Sequence, residues 1–175
     1  MTRKSFYLIV GLSVMLVSSA AAQFGKGDKL WNLGIGLNSA YNGGLPLHTS
    51  FEVGINDVLS VGGNVDFLSY RYIVAGYKYG FTAFYTGARV SYHFNKLFKL
   101  NIDELDIYGG GSIGYRAFSW RDDNSLTSTG SAYGSGVYGG AHVGARWYFK
   151  PAFGVFLEVG AGGSSNGRGG IVLRF

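Results

Sequence analysis

From residue 30 onward, apolar and polar side chains alternate in eight stretches set apart by polar or turn-forming segments. Successive strand residues face opposite sides, so each stretch predicts a β-strand with one apolar and one polar row. In Leu30 to Asn38, the row Trp31, Leu33, Ile35 and Leu37 opposes Asn32, Gly34, Gly36 and Asn38. In Leu47 to Ile55, Phe51 and Val53 oppose His48, Ser50 and Glu52. Val58 to Tyr70 sets Val61, Val65 and Phe67 against Asn64 and Asp66, and Phe81 to Phe94 sets Phe84, Ala88 and Val90 against Tyr85, Arg89, Ser91 and His93. The remaining four run Leu105 to Arg116, Tyr133 to Phe149, Ala152 to Ala161 and Asn166 to Phe175.

The last stretch settles how the strands are arranged. Ile171, Leu173 and Phe175 share one parity, and Gly170, Val172 and Arg174 the other. Left as the edge of a soluble sheet, that apolar row would template aggregation, whereas pairing the last strand with the first removes the edge. The expected fold is all-β, an eight-stranded antiparallel up-and-down barrel. A lipocalin-like secreted barrel would turn the apolar rows inward and cover itself with the polar ones. Only 14% of the residues are charged, too few for such a surface. With the rows exchanged, the apolar band faces lipid and the polar row fills a narrow interior, which makes the barrel transmembrane.

Connections give the orientation. Asn56-Asp57 and Lys150-Pro151 are short, and Asn95 to Glu104 is intermediate. Ser39 to Pro46, Arg71 to Gly80, Ala117 to Ala132 and Gly162 to Gly167 are longer or more polar, with Trp120 to Ser131 the most hydrophilic. Short periplasmic turns with long outer loops place both termini in the periplasm.

Residues 1 to 22 have the form of a secretory signal: Arg3 and Lys4, an apolar run from Phe6 to Val17, then Ala20-Ala21-Ala22. That run is too short to span a membrane as a helix, so the domain is expected to occupy residues 23 to 175. Loss of Arg3 and Lys4 lowers the formal charge from +5 to +3, and no basic run suggests nucleic acid as a partner. The 30 Gly, 26 Tyr and Phe together and 2 Pro suit many short strands, and the absence of Cys leaves backbone pairing to hold an exported chain.

The leader, the eight alternating segments, the short turns and the terminal Phe175 resemble the small eight-stranded outer-membrane β-barrels, the OmpA transmembrane domain and OmpX among them. The resemblance is one of pattern across residues 23 to 175. It implies a bacterial outer-membrane location, lipid as surroundings, and dependence on periplasmic chaperones and the barrel-assembly machinery. In such families the closing strand carries the assembly signal, here Ile171, Leu173 and Phe175. A monomer without cofactor is expected, in a non-enzymatic surface or envelope-structural role. The peptidoglycan anchoring of longer OmpA-like proteins is not expected of a chain ending at Phe175. A narrow pore and a lipid-modifying enzyme of the same fold are the alternatives.

No catalytic constellation is expected. Gly109 to Gly114 matches G-x-G-x-x-G but runs on into a strand, whereas a dinucleotide site needs it to open a helix. His48-Thr49-Ser50 has the His-x-Ser form of lipid A deacylases, yet both residues share the parity of Glu52 and face the lumen. His48, His93 and His142 lie on different strands without chelating spacing. Inward parity instead gathers Glu52, Asp66, Asp106 and Glu158 with Arg89, Arg116, Arg146, Arg168 and Arg174. Counting from the turns puts Glu52, Arg89, Asp106 and Arg146 at similar depth near the periplasmic end. A Glu52 pair with Arg89 or Arg146 is the expected plug, because buried charges must pair and Arg can hold a carboxylate with two hydrogen bonds.

Overall fold

The computed structural model describes residues 24–74, 77–122 and 134–175. The expected leader, Gln23 and residues 123–133 of the longest loop lie outside them. Eight strands follow in order: β1 Lys29–Gly36, β2 Leu47–Gly54, β3 Leu59–Val74, β4 Tyr77–His93, β5 Leu105–Asp122, β6 Gly136–Lys150, β7 Phe153–Ala161 and β8 Gly167–Arg174. Each pairs antiparallel with its neighbour, and β8 closes on β1 from Leu30↔Arg174 to Gly36↔Arg168. Phe175 and Lys29 then exchange both backbone hydrogen bonds, at 2.9 and 3.1 Å. The last residue is thus knitted to the first strand through its main chain, with its ring turned outward and 62% exposed.

The rows divide as the alternation requires. Outward positions include Trp31, Phe51, Phe67, Val90, Ile113, Val143, Leu157 and Ile171, all exposed. Among the strand side chains described, the exposed charged ones outside the lumen are Lys29 and Lys150 near the end that holds the termini, and Arg71 and Lys78 toward the other. The band between them is uncharged, as hydrocarbon demands. A closed ladder also leaves no strand edge unpaired within it.

Two connections depart from the expected lengths. Arg71 to Gly80 reads as a loop because Gly and Tyr interrupt its alternation, yet β3 and β4 pair all the way from Leu59↔Tyr92 to Val74↔Tyr77, leaving residues 75 and 76 between them. β5 likewise runs to Asp122, six residues past its expected end at Arg116. Meanwhile the β4–β5 connection at the terminus end is long, stapled by Asn95, whose side chain bonds the Leu105 carbonyl and accepts from Ile107 N at 2.9 Å. Loop length therefore does not separate the two ends. Strand length does: β3 to β5 have 16, 17 and 18 residues, while β1, β2 and β8 have 8 each, so one wall rises above the rest. At the terminus end, Asn56 Oδ1 accepts from Val58 and Leu59 N at 2.9 Å and sets the β2–β3 turn.

Inside the barrel, apolar layers lie on either side of a polar one. Phe24, Leu30, Tyr148 and Val172 are buried toward the terminus end. Leu68, Phe81, Ala83 and Tyr85 form a buried cluster toward the other.

Candidate functional site: the lumen network

Between those layers the inward row brings ionisable groups into contact. Glu52 on β2 is central: its Oε1 accepts from Arg89 Nε at 3.1 Å and from Arg146 Nη2 at 2.9 Å, and its Oε2 from Ser60 Oγ at 2.8 Å. Arg146 on β6 turns Nη1 to Asp106 Oδ2 at 2.8 Å and Nε to Asn32 Oδ1 at 3.3 Å. Asp106 in turn meets His93 Nδ1 at 2.7 Å. Toward the other end, Arg89 grips both oxygens of Glu158 on β7. Arg168 Nε lies 3.5 Å from Glu158 Oε1, and its Nη1 3.6 Å from Asp66 Oδ1. Asp66 meets His48 Nδ1 at 2.5 Å.

The result is one unbroken chain: His93, Asp106, Arg146, Glu52, Arg89, Glu158, Arg168, Asp66, His48. Basic and acidic groups alternate along it without exception. With Asn32 on β1 attached through Arg146, it draws on all eight strands. Every member is buried, Glu52 and Arg146 completely. A cavity of about 10 Å³ lies beside Asp66, Arg89, His142 and Arg168, which is room for one water.

Tyr108 holds the network together from β5. Its ring lies under Arg146, whose guanidinium carbon is 3.7 Å from the centroid, and its hydroxyl donates to Glu158 at 3.1 Å. Phe24 stacks on His93 with centroids 3.5 Å apart and planes within 5°, closing the terminus end of the chain.

No protein-family model matches the sequence, and no curated protein matches it significantly. Solved structures do. The outer membrane protein OprG from Pseudomonas aeruginosa superposes with a TM-score of 0.63 at 11% identity, over 89% of this chain and 99% of that one. The N-terminal β-barrel domain of Pseudomonas aeruginosa OprF superposes with a TM-score of 0.55 at 12% identity, over 86% and 99%. The fold is that of the small outer-membrane β-barrels.

Not every inward charge of the barrel joins its network. Arg116 stands above it, donating from Nε to the Gly134 carbonyl at 2.9 Å. Arg174 lies at the terminus end, 5.0 Å from the Tyr148 ring and 4.0 Å from Asp28. Both have inward parity, but near the rim of the barrel parity does not fix depth. His48 and Ser50 do face the lumen, though they bond Asp66 and Asn32 rather than each other.

The parts that escaped the sequence reading are Ser60, Tyr108 and Phe24. Ser60, His93 and Asp106 have the connectivity of a Ser-His-Asp triad, with Ser60 Oγ 3.0 Å from His93 Nε2. The hydroxyl hydrogen of Ser60, however, is directed at Glu52, and Ser60 is 0% exposed. A nucleophile needs its proton taken by the imidazole and a path for substrate, and this serine lacks both. Among the described residues no group of His, Asp and Glu is arranged to hold a metal ion.

Proposed function

We propose that this chain is a monomeric, non-enzymatic barrel of the bacterial outer membrane, closed to solute flow and serving the cell surface or the envelope as a structural element. Lipid is its surroundings, and periplasmic chaperones with the barrel-assembly machinery are its partners on the way there.

The observation that carries the reading is the grip of Arg89 and Arg146 on the single carboxylate of Glu52. An eight-stranded interior is about wide enough to be filled by side chains. Here two guanidinium groups, from β4 and β6, meet one acid of β2 in the buried interior. An ion entering from water would have to part charges that have exchanged their hydration for one another, and leaving either unpaired costs about 3–5 kcal/mol. The buried, Glu52-bound hydroxyl of Ser60 weighs against the enzymatic reading of the same fold.

Liposome swelling tests this reading. Refolded protein in vesicles loaded with impermeant polymer should give no swelling in isotonic arabinose beyond that of empty vesicles, while a general porin in parallel gives rapid swelling. Swelling that scales with protein content would replace the closed barrel with a pore.

A further inference from the structure

Above the network, the tall wall of β3, β4 and β5 changes character. Within the membrane band its outer face is apolar and its inner face polar. Higher up the two are exchanged. Ser69, Thr82 and Ser119 stand side by side on the outer face, with Ser69 and Thr82 hydroxyls 3.3 Å apart. Between them the inner face presents Tyr70, Phe81 and Trp120, directly opposed across the three strands. Strands with water on their outer side and rings on their inner side have left the bilayer. β1, β2, β7 and β8 are too short to cover the rings.

The β1–β2 loop covers part of them. Tyr41 sits 5.3 Å from both Phe81 and Phe118, and its hydroxyl bonds that of Tyr85. Gly44 has φ +81°, and a Cβ there would come within 2.6 Å of Leu68, so this loop needs glycine to lie so close. Between loop and wall remains a groove of about 370 Å³. Tyr70, Tyr72 and Trp120 at its edge are 37, 36 and 47% exposed.

The chemistry of the lining selects its ligand. Among the described residues seven line it: six are aromatic, the seventh is Asn42, and none of these carries a charge. An anion would lose hydration with no counter-charge among these residues to replace it. A sugar would bring several hydroxyls to a lining whose one side-chain amide among the described residues is Asn42. A flat, neutral ring, by contrast, extends a stack already built: Phe81 and Phe118 are nearly parallel at 13°, and Trp120 meets both edge-on. The volume falls in the range of small-molecule sites, which are apolar with few polar groups. We infer that this groove is a binding site for a small neutral aromatic compound, with Asn42 and the tyrosine hydroxyls placed to bond one polar substituent. It lies outside the plugged lumen, so it captures from the outer side without passage through the barrel.

The test is NMR titration of the refolded, ¹⁵N-labelled mature chain in detergent micelles with p-cresol, run beside choline and maltose. Tyr72→Ala and Trp120→Ala remove rings at the edge of the groove, and Thr82→Val at the same height on the outer face is the control. Amides of Tyr70, Phe81 and Trp120 should shift saturably with p-cresol alone. Affinity should fall about tenfold in each ring variant, the loss of one ring contact, and stay unchanged in Thr82→Val. The inference is overturned by shifts that never saturate, as in partition into detergent, by equal affinity in all variants, or by saturable binding of choline or maltose in place of p-cresol. Retained spectra of the ring variants show that they fold.

Discussion

The Arg146 guanidinium carbon lies over Tyr108, 3.7 Å from the ring centroid, while its two terminal nitrogens hold Asp106 and Glu52. One guanidinium thereby satisfies two acids and a π-face at full burial. Lysine could supply the charge but not the fork, so the position requires arginine. Arg146→Met, which leaves the acids short of a partner, should destabilise the barrel by about 3–5 kcal/mol. Arg146→Lys should lose part of that. Tyr108→Phe keeps the ring and deletes the hydrogen bond to Glu158, and should cost roughly 1.5–3 kcal/mol. Urea unfolding in lipid vesicles, followed by tryptophan fluorescence, measures all three. Equal stability of Arg146→Met and wild type would mean that water already reaches the network.

The place for Tyr108 is made by Gly144 on the next strand. A Cβ at Gly144 would lie 2.6 Å from the Tyr108 ring and 2.9 Å from the Leu157 carbonyl. Gly144→Ala should therefore cost about 1–3 kcal/mol by overpacking. Gly139→Ala, on the same strand with nothing within 4 Å of the added carbon, is the control and should be close to neutral. The two variants separate a packing demand from any general cost of alanine in this strand.

How much of this was legible in the sequence follows the reach of alternation. Parity alone assigns Glu52, Arg89, Asp106 and Arg146 to the interior, because a strand has only two faces and the other one meets lipid. It cannot assign partners, which depend on strand tilt and register. Arg116 and Arg174 share the parity of the network and lie beyond its ends. Tyr108 reads as one more aromatic beside glycines, since its role appears only once Gly144 is placed against it. The tall β3–β5 wall is hidden for another reason: above Leu68 the inner and outer rows exchange character, and an alternation that inverts reads as none.

The orientation can be read directly, since the chain has no cysteine to interfere. Lys78→Cys in the tall wall should label with an impermeant maleimide on intact cells. Lys96→Cys, near the terminus end and paired with Asp57 at 2.7 Å in wild type, should label only after the outer membrane is opened. That Lys96 bond holds the Asp57 carboxyl below its usual range, but both groups are exposed, so Lys96→Cys should leave folding intact. The reverse labelling pattern would invert the topology.

Phe175 closes the ladder with Lys29 through its backbone while its ring faces outward. Deleting it removes both hydrogen bonds and the terminal aromatic, and should lower the yield of heat-modifiable protein in the outer membrane. Phe175→Ala keeps the backbone bonds. A defect in the deletion alone would assign the role to barrel closure, and a defect in both would assign it to recognition of the ring. Unchanged yield in both would remove Phe175 from assembly.

The closed lumen is the central claim, and planar-bilayer recording of refolded wild type beside Glu52→Ala tests it most directly. Removing Glu52 takes away the acid shared by Arg89 and Arg146 and leaves two guanidinium groups with one acid each, Glu158 and Asp106. Wild type should show no resolved steps above the bare bilayer. Glu52→Ala should open frequent small steps, with anions favoured by the uncovered arginines. A large, steady wild-type conductance, unchanged in Glu52→Ala, would contradict the account.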